Sequence, residues 1–364
     1  MKSTATPARN VSNSESRSIP RLYIVFVLIL ITITFALLFS LFLFISKHSV
    51  SITTSKQSDT PSHSIYNINP RLCNNPIVPL LGTPSEIHAK ALKRIEWGRG
   101  SASMKFLEQL DNEYCTPSKD WRDVNVSGCS RIQKVNGTDR IHMRQRRFDA
   151  LGGSVVRCLK NQRKFGKGDS EKRFCWMNEL DHECVVFSVG SRNEFSFEID
   201  MSRSTKCRFE VFDCTVKQPR IPKEIQDRTR FHQLCLGPET KLVDNRLQFV
   251  NYTELIKAAG NRQPSYIKFD IEGAEYDVLA NIIDSSRRHF LDTGENIEPL
   301  QIAFELHYAT GINSFTSWSS FRTKTNGELF SFSQMLLESG GYLISDIRIN
   351  TAYCAEIVIV KVLC

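Results

Sequence analysis

A run of 24 residues without a charge, Leu22 to Ile45, stands apart from the rest of the chain. At about 1.5 Å rise per residue, such a helix is about 36 Å long. A bilayer core is about 30 Å thick, so the run can span it with some tilt. A cleaved signal peptide has a shorter apolar region, roughly 7–15 residues, ending at a small-residue cleavage site. None convincing follows Ile45, so the pattern predicts a membrane anchor. Residues 46–72 are rich in Ser and Thr and lack apolar periodicity, which predicts a stem. From Thr83 to Leu110, apolar residues recur at helical spacing (Ile87, Ala91, Ile95, Phe106, Leu110).

Further on, short apolar runs alternate with helical stretches. Strands are predicted at Cys184–Val189, Cys207–Phe212, Phe231–Leu236, Ser265–Phe269 and Gln301–Leu306. Gln248–Gly260 holds a short helical stretch, and helical patterns cover Ala274–Ile283 and Glu328–Ser339. Tyr342–Ile349 and Ala355–Val362 close the chain as two neighbouring strands. Strand–helix alternation implies right-handed crossovers and a mostly parallel α/β sheet. The last two strands predict an antiparallel hairpin at one edge. The expected organisation is a tail (1–21), a transmembrane segment (22–45), a stem (46–72), an N-terminal region (73–175) and an α/β domain (176–364).

Charge orients the anchor. Lys2, Arg9, Arg17 and Arg21 precede the span against Glu15, while Lys47 and Lys56 follow it. The positive-inside rule puts the N-terminus in the cytoplasm and the remainder in the secretory lumen, a single-pass type II layout. All 11 cysteines, Cys73 through Cys364, lie beyond the span, where disulfides are permitted. Sequons at Asn125, Asn136 and Asn251 lie there too and predict a glycoprotein; the one at Asn10 falls on the cytosolic side. An odd count leaves at least one thiol unpaired within the chain. Anchor plus stem suggests the Golgi or another secretory compartment.

The chain has 364 residues and a formal net charge of +8. From Arg140 to Arg173 there are 11 Lys or Arg against Asp149, Asp169 and Glu171, so that stretch alone nets +8. It reads either as a solvated loop around Gly166 and Gly168 or as a site for an anionic glycan. Nucleic acid is not expected as a partner, because the lumen contains little of it and no interleaved aromatic pattern appears.

Ligands of open α/β sheets bind beyond the carboxyl ends of the strands. Four predicted strand ends carry candidates. Gly190, in FSVGSRNEFSFE, would let the backbone approach a ligand. Without the full G-x-G-x-x-G pattern, a dinucleotide is disfavoured. Asp213 lies 23 residues further on, where an acid can hold ribose hydroxyls. Asp270, in IKFDIEGAEYDVL, is followed by Glu272 and Glu275; gathered acids need a cationic partner. The helix dipole accounts for Glu272 and Glu275 better than for Asp270. Glu305 and His307, in QIAFELHY, point the same way along a strand, so His307 can accept a proton with a carboxylate to orient it.

These four words together resemble the methyltransferase-like protein 24 family, related to the FkbM-type methyltransferases in which K-x-D-I-E-G-A-E recurs. The resemblance covers roughly Gly152 to Cys364. GGSVVRC at Gly152–Cys158 matches only loosely, while the acid at Glu198 is kept. It implies a Rossmann-like class I fold binding S-adenosylmethionine, with Gly190, Asn193, Asp213 and Asp270 at the cofactor. It places Asp270, Glu272, Glu305 and His307 at methyl transfer. FkbM-type relatives act on oxygen, so a hydroxyl of a glycan or secreted protein is the expected acceptor. A hydroxyl needs a base or a metal. His307 is the expected base, oriented by Glu305, Asp270 or Glu272; no metal ligand is assigned, and a divalent ion on Asp270, Glu272 and His307 is an open variant. The alternative is a membrane-anchored binding protein that keeps the fold without turnover. A type II glycosyltransferase would share anchor and stem, but the chain has no D-x-D word.

Overall fold

The computed structural model describes residues 71–114, 148–158, 162–175, 184–307, 326–350 and 354–364. The predicted tail, anchor and nearly all of the stem lie outside these residues, as do Asn125, Asn136, Cys115 and Cys129. Among the described residues, no helix is long and apolar enough to cross a membrane.

Helix α1 (Val78–Leu81) is one turn, and α2 (Pro84–Arg99) follows it. Thr83 and Glu86 close a reciprocal capping box at the start of α2, with Pro84 in its first turn. The chain turns at Gly100 and continues as α3 (Ser101–Tyr114), so the predicted helical stretch is two helices. A hairpin, β1 (Gln162–Phe165) and β2 (Lys172–Cys175), comes next. It replaces the expected solvated loop, because Phe165 and Phe174 are buried and its cations find carboxylates. Lys164 pairs with Glu171, Arg173 with Asp346 and Lys172 with Glu356.

The main sheet is built from β3 (Val185–Val189), β4 (Arg208–Phe212), β5 (Thr229–His232), β9 (Tyr266–Phe269), β10 (Gln301–His307), β11 (Tyr342–Ile349) and β12 (Cys354–Lys361). A small second sheet holds β6 (Cys235–Leu236), β7 (Lys241–Val243) and β8 (Leu247–Val250). The predicted third strand is therefore two pieces in two sheets. The short helical stretch expected within Gln248–Gly260 is α5 (Tyr252–Ala258), whose N-cap is Asn251, and β8 leads into it. The other helices are α4 (Ser196–Ser204), α6 (Glu275–Thr293) and α7 (Asn326–Glu338).

Strand order across the main sheet is β11-β12-β10-β9-β3-β4-β5. The five strands from β10 to β5 are parallel, and β12 runs against both β10 and β11. The final hairpin thus tucks its last strand inside and leaves β11 at the edge. This is a Rossmann-like sheet: the order reverses between β3 and β9, and one reversed strand sits near the end.

Each face of the sheet has its own core. Phe187, Phe212, Phe269 and Phe304 face α5, α6 and α7. Val186, Phe209, Tyr266 and Val358 face α1, α2, α4 and the β1–β2 hairpin. No structural seam falls at residue 175: Phe165 and Phe174 share a core with Val186 and Val360, and the Gln301 side chain bonds both Cys175 N (2.8 Å) and Cys175 O (2.6 Å). Disulfides join Cys73–Cys364, Cys184–Cys207 and Cys214–Cys235. The first ties the two ends of the described fold together.

Candidate active site

Parallel strands that share a direction bring their carboxyl ends to one side. Gly190, Asp213, Asp270 and the Glu305–His307 stretch therefore gather there, as the sequence predicts. Gly190 has φ +77°, and a Cβ there would run into the carbonyl oxygen of Asp270. The close approach that requires glycine is thus made by the end of β9. Arg192 (φ 47°) and Asn193 (φ 64°) follow in the left-handed region, a costly conformation for residues with side chains.

Asp213 explains how that turn is held. It is 3% exposed; Oδ2 accepts from Arg192 N (2.7 Å), and Oδ1 accepts from Thr215 N (2.9 Å) and Thr215 Oγ1 (2.6 Å). A carboxylate offers about four acceptor positions, so one remains. Asn193 is engaged as well: Oδ1 accepts from Arg220 N (3.0 Å), and Nδ2 donates to Gln218 O (3.4 Å). Both residues fasten the loops after β3 and β4 to each other. Ser191, 2% exposed, keeps an unpartnered hydroxyl in the same turn.

At the end of β9, Asp270 N donates to Val189 O (3.3 Å), and Oδ1 is buried without a partner. Glu272 (φ 57°) and Gly273 (φ 106°) turn the chain into α6. Glu275 opens that helix fully buried; Oε1 accepts from Gly273 N (3.0 Å), and Oε2 has no partner. His307 reaches across from β10. Its Nδ1 lies 3.0 Å from Glu275 Oε1, and its Nε2 lies 3.7 Å from Glu272 Oε2. The orienting carboxylate is therefore Glu275, rather than any of the three expected. It stands in the same EGAE word as Glu272, where a helix dipole hides its contact with β10. Tyr276 Oη donates to His307 O (3.1 Å) and fixes the strand end.

Register builds a second row. Phe269 pairs with Phe304, which sets Asp270 beside Glu305. On the other side Glu305 faces Glu356 and His307 faces Cys354. Asn350 Nδ2 bridges Glu305 Oε1 and Glu356 Oε1, both at 3.1 Å. Lys172 Nζ reaches Glu356 Oε1 at 2.7 Å. Deeper on the same face, buried Lys268 meets Ser188 Oγ at 3.5 Å, near buried Glu198. Lys172, Asn350 and Glu356 come from distant elements, and no local word announced them.

The electrostatics follow from crowding. Burial acts to lower the His307 pKa, but Glu275, Asp270 and Glu305 outweigh it and raise it to about 10. Burial lifts Glu305 to about 7, with Asp270 and Glu356 adding to the rise. Glu272 and Glu356 are pushed up, chiefly by burial. Burial also raises Glu198 and lowers Lys268, the pair's attraction opposing both.

A family model described as a methyltransferase domain matches residues 117–317. No curated protein matches the sequence. Among solved structures, the fibrillarin pre-rRNA processing protein of Methanococcus jannaschii is similar at 14% identity and TM-score 0.30, over 56% of this chain and 83% of that one. The 1,6-didemethyltoxoflavin-N1-methyltransferase of Burkholderia thailandensis, with bound S-adenosylhomocysteine, is similar at 13% identity and TM-score 0.29, over 50% and 73%. The N-terminal domain of EvdMO1, with S-adenosylhomocysteine and D-fucose, is similar at 9% identity and TM-score 0.26, over 72% and 97%.

Proposed function

The chain belongs to the methyltransferase-domain family, and from that premise we propose that it transfers a methyl group from S-adenosylmethionine to a hydroxyl of a glycan or secreted protein. The observation that carries this reading is the cluster of carboxylates and one histidine around the carboxyl ends of β3, β9 and β10. The four words at those ends also support the finer likeness to methyltransferase-like protein 24 proteins.

The residues present fit the cofactor at its amino acid and sulfonium end. The unpartnered Ser191 hydroxyl and Asp270 Oδ1 are polar atoms awaiting partners, and Asp270 and Glu272 suit a positive charge. Asp213 fits less generously, with one acceptor position left for a ribose hydroxyl. When bound, S-adenosylmethionine supplies an activated methyl group with a good leaving group. The chain's own part is alignment and water exclusion. With its pKa raised to about 10, His307, held by Glu275 through Nδ1, keeps its own proton near neutral pH, so Glu305 on the same strand face, lifted to about 7, is the group placed to receive the acceptor's proton. Glu272, at the solvent side, meets the acceptor.

A second reading, a binding protein without turnover, draws on the three bonds Asp213 already makes within the chain. Titrating S-adenosylmethionine into purified full-length protein, with a methyl-labelled assay on mixed glycans, separates the two. We expect binding in the wild type, and in His307→Ala normal binding with methyl transfer reduced at least a hundredfold. Absence of binding to the folded wild type would remove the methyltransferase reading.

The secretory layout is likewise a proposal. The three disulfides among the described residues suit an oxidising lumen. Asn251 caps α5 through Oδ1 at a helix start where a glycan can attach.

A further inference from the structure

One ligand atom from each of Asp270, Glu275 and His307 lies within 4.8 Å of those of the other two. They come from the end of β9, the start of α6 and the end of β10, so the fold itself converges them. Acids at a helix start are ordinary. These two are not satisfied by it: Glu275 is fully buried with Oε2 unpartnered, and Asp270 Oδ1 is buried and unpartnered too. Buried carboxylate oxygens without donors are costly.

We propose that Asp270, Glu275 and His307 hold a single divalent cation of the manganese or zinc type. Two carboxylates and an imidazole are a donor set for such ions, the ion displacing to solvent the proton that His307 Nδ1 shares with Glu275 Oε1. Three protein ligands leave coordination positions open for an acceptor oxygen, whose hydroxyl proton the ion would make easier to lose. A neighbouring grouping, Glu305, His307 and Cys354, shares the histidine. It is the weaker candidate because it holds no buried carboxylate oxygen without a partner, whereas Asp270 and Glu275 each present one. The sequence alone pointed to Glu272 as a ligand with Asp270 and His307; the structure replaces it with Glu275. The purpose of the ion rests on the methyltransferase reading, whereas its binding does not.

The test is calorimetry on full-length protein stripped with chelator, titrated separately with Mn2+, with Zn2+ and with S-adenosylmethionine. One ion per chain is expected. Asp270→Asn and Glu275→Gln should each weaken it at least tenfold, with Cys354→Ser unchanged. Circular dichroism monitors folding; Asp270, only partly buried, is the variant least apt to unfold. Failure of the folded wild type to bind either ion, unchanged affinity in Asp270→Asn, or loss of binding in Cys354→Ser would each overturn the proposal. Ion binding without S-adenosylmethionine binding would support the site while removing the methyltransferase reading.

Discussion

Single residues at the strand ends do two jobs. Gly190 is needed because the end of β9 presses against it at φ +77°. Gly190→Ala combines a left-handed backbone with a steric overlap, so it should destabilise the fold by about 1–3 kcal/mol, read from denaturant unfolding. An unchanged midpoint would mean that the two strand ends are not so close. Asp213 grips the Arg192 turn and has one acceptor position left. Asp213→Ala should therefore weaken S-adenosylmethionine binding at least tenfold by calorimetry; equal affinity would remove the ribose assignment. Both residues were legible in the sequence, because glycine and aspartate after apolar runs mark strand ends. Their internal bonds were not legible, since the partners are backbone groups brought near by folding.

At the scale of elements, the β1–β2 hairpin shows how composition misleads. Its basic residues suggested a solvated loop, yet Lys164, Lys172 and Arg173 are matched to acids. Burial pushes the Glu171 carboxyl up, but Lys164 on β1 and Arg348 on β11 outweigh it and hold it below its ordinary value. A carboxyl depressed in the folded state binds its proton less readily there than when unfolded. Its stabilisation is thus complete above the unfolded value, about 4.3, and is lost as pH falls through the lower folded value. Thermal unfolding from pH 6 to pH 3 should show Glu171→Gln less stable than wild type at pH 6, with the gap narrowing below about pH 4. A gap constant across that range would exclude the ion pairs as its source. Strands β3, β4, β9 and β10 were placed to within a residue because their apolar runs are short and bounded by polar ends. The small sheet and α4 were missed: their strands have two to four residues, and α4 is only nine residues long.

Across the whole molecule, the Cys73–Cys364 disulfide spans 291 positions and closes the described fold on itself. Replacing both cysteines by serine should cost about 2–5 kcal/mol of stability, measured by denaturant unfolding of non-reduced protein. Equal stability would show that the packing of Ile77 and Val78 against the sheet suffices to hold that end. The sequence by itself determined the α/β class, the parallel strands and the four strand ends that carry the candidate residues. Apolar periodicity and strand-end residue types are local properties, so a linear chain displays them. Only the tertiary structure decided that Glu275 orients His307 and that Glu356 and Lys172 stand behind Glu305. It alone showed Asp213 spending most of its capacity on its own chain. Those contacts join residues up to 184 positions apart, and registers between strands exist only once the chain has folded.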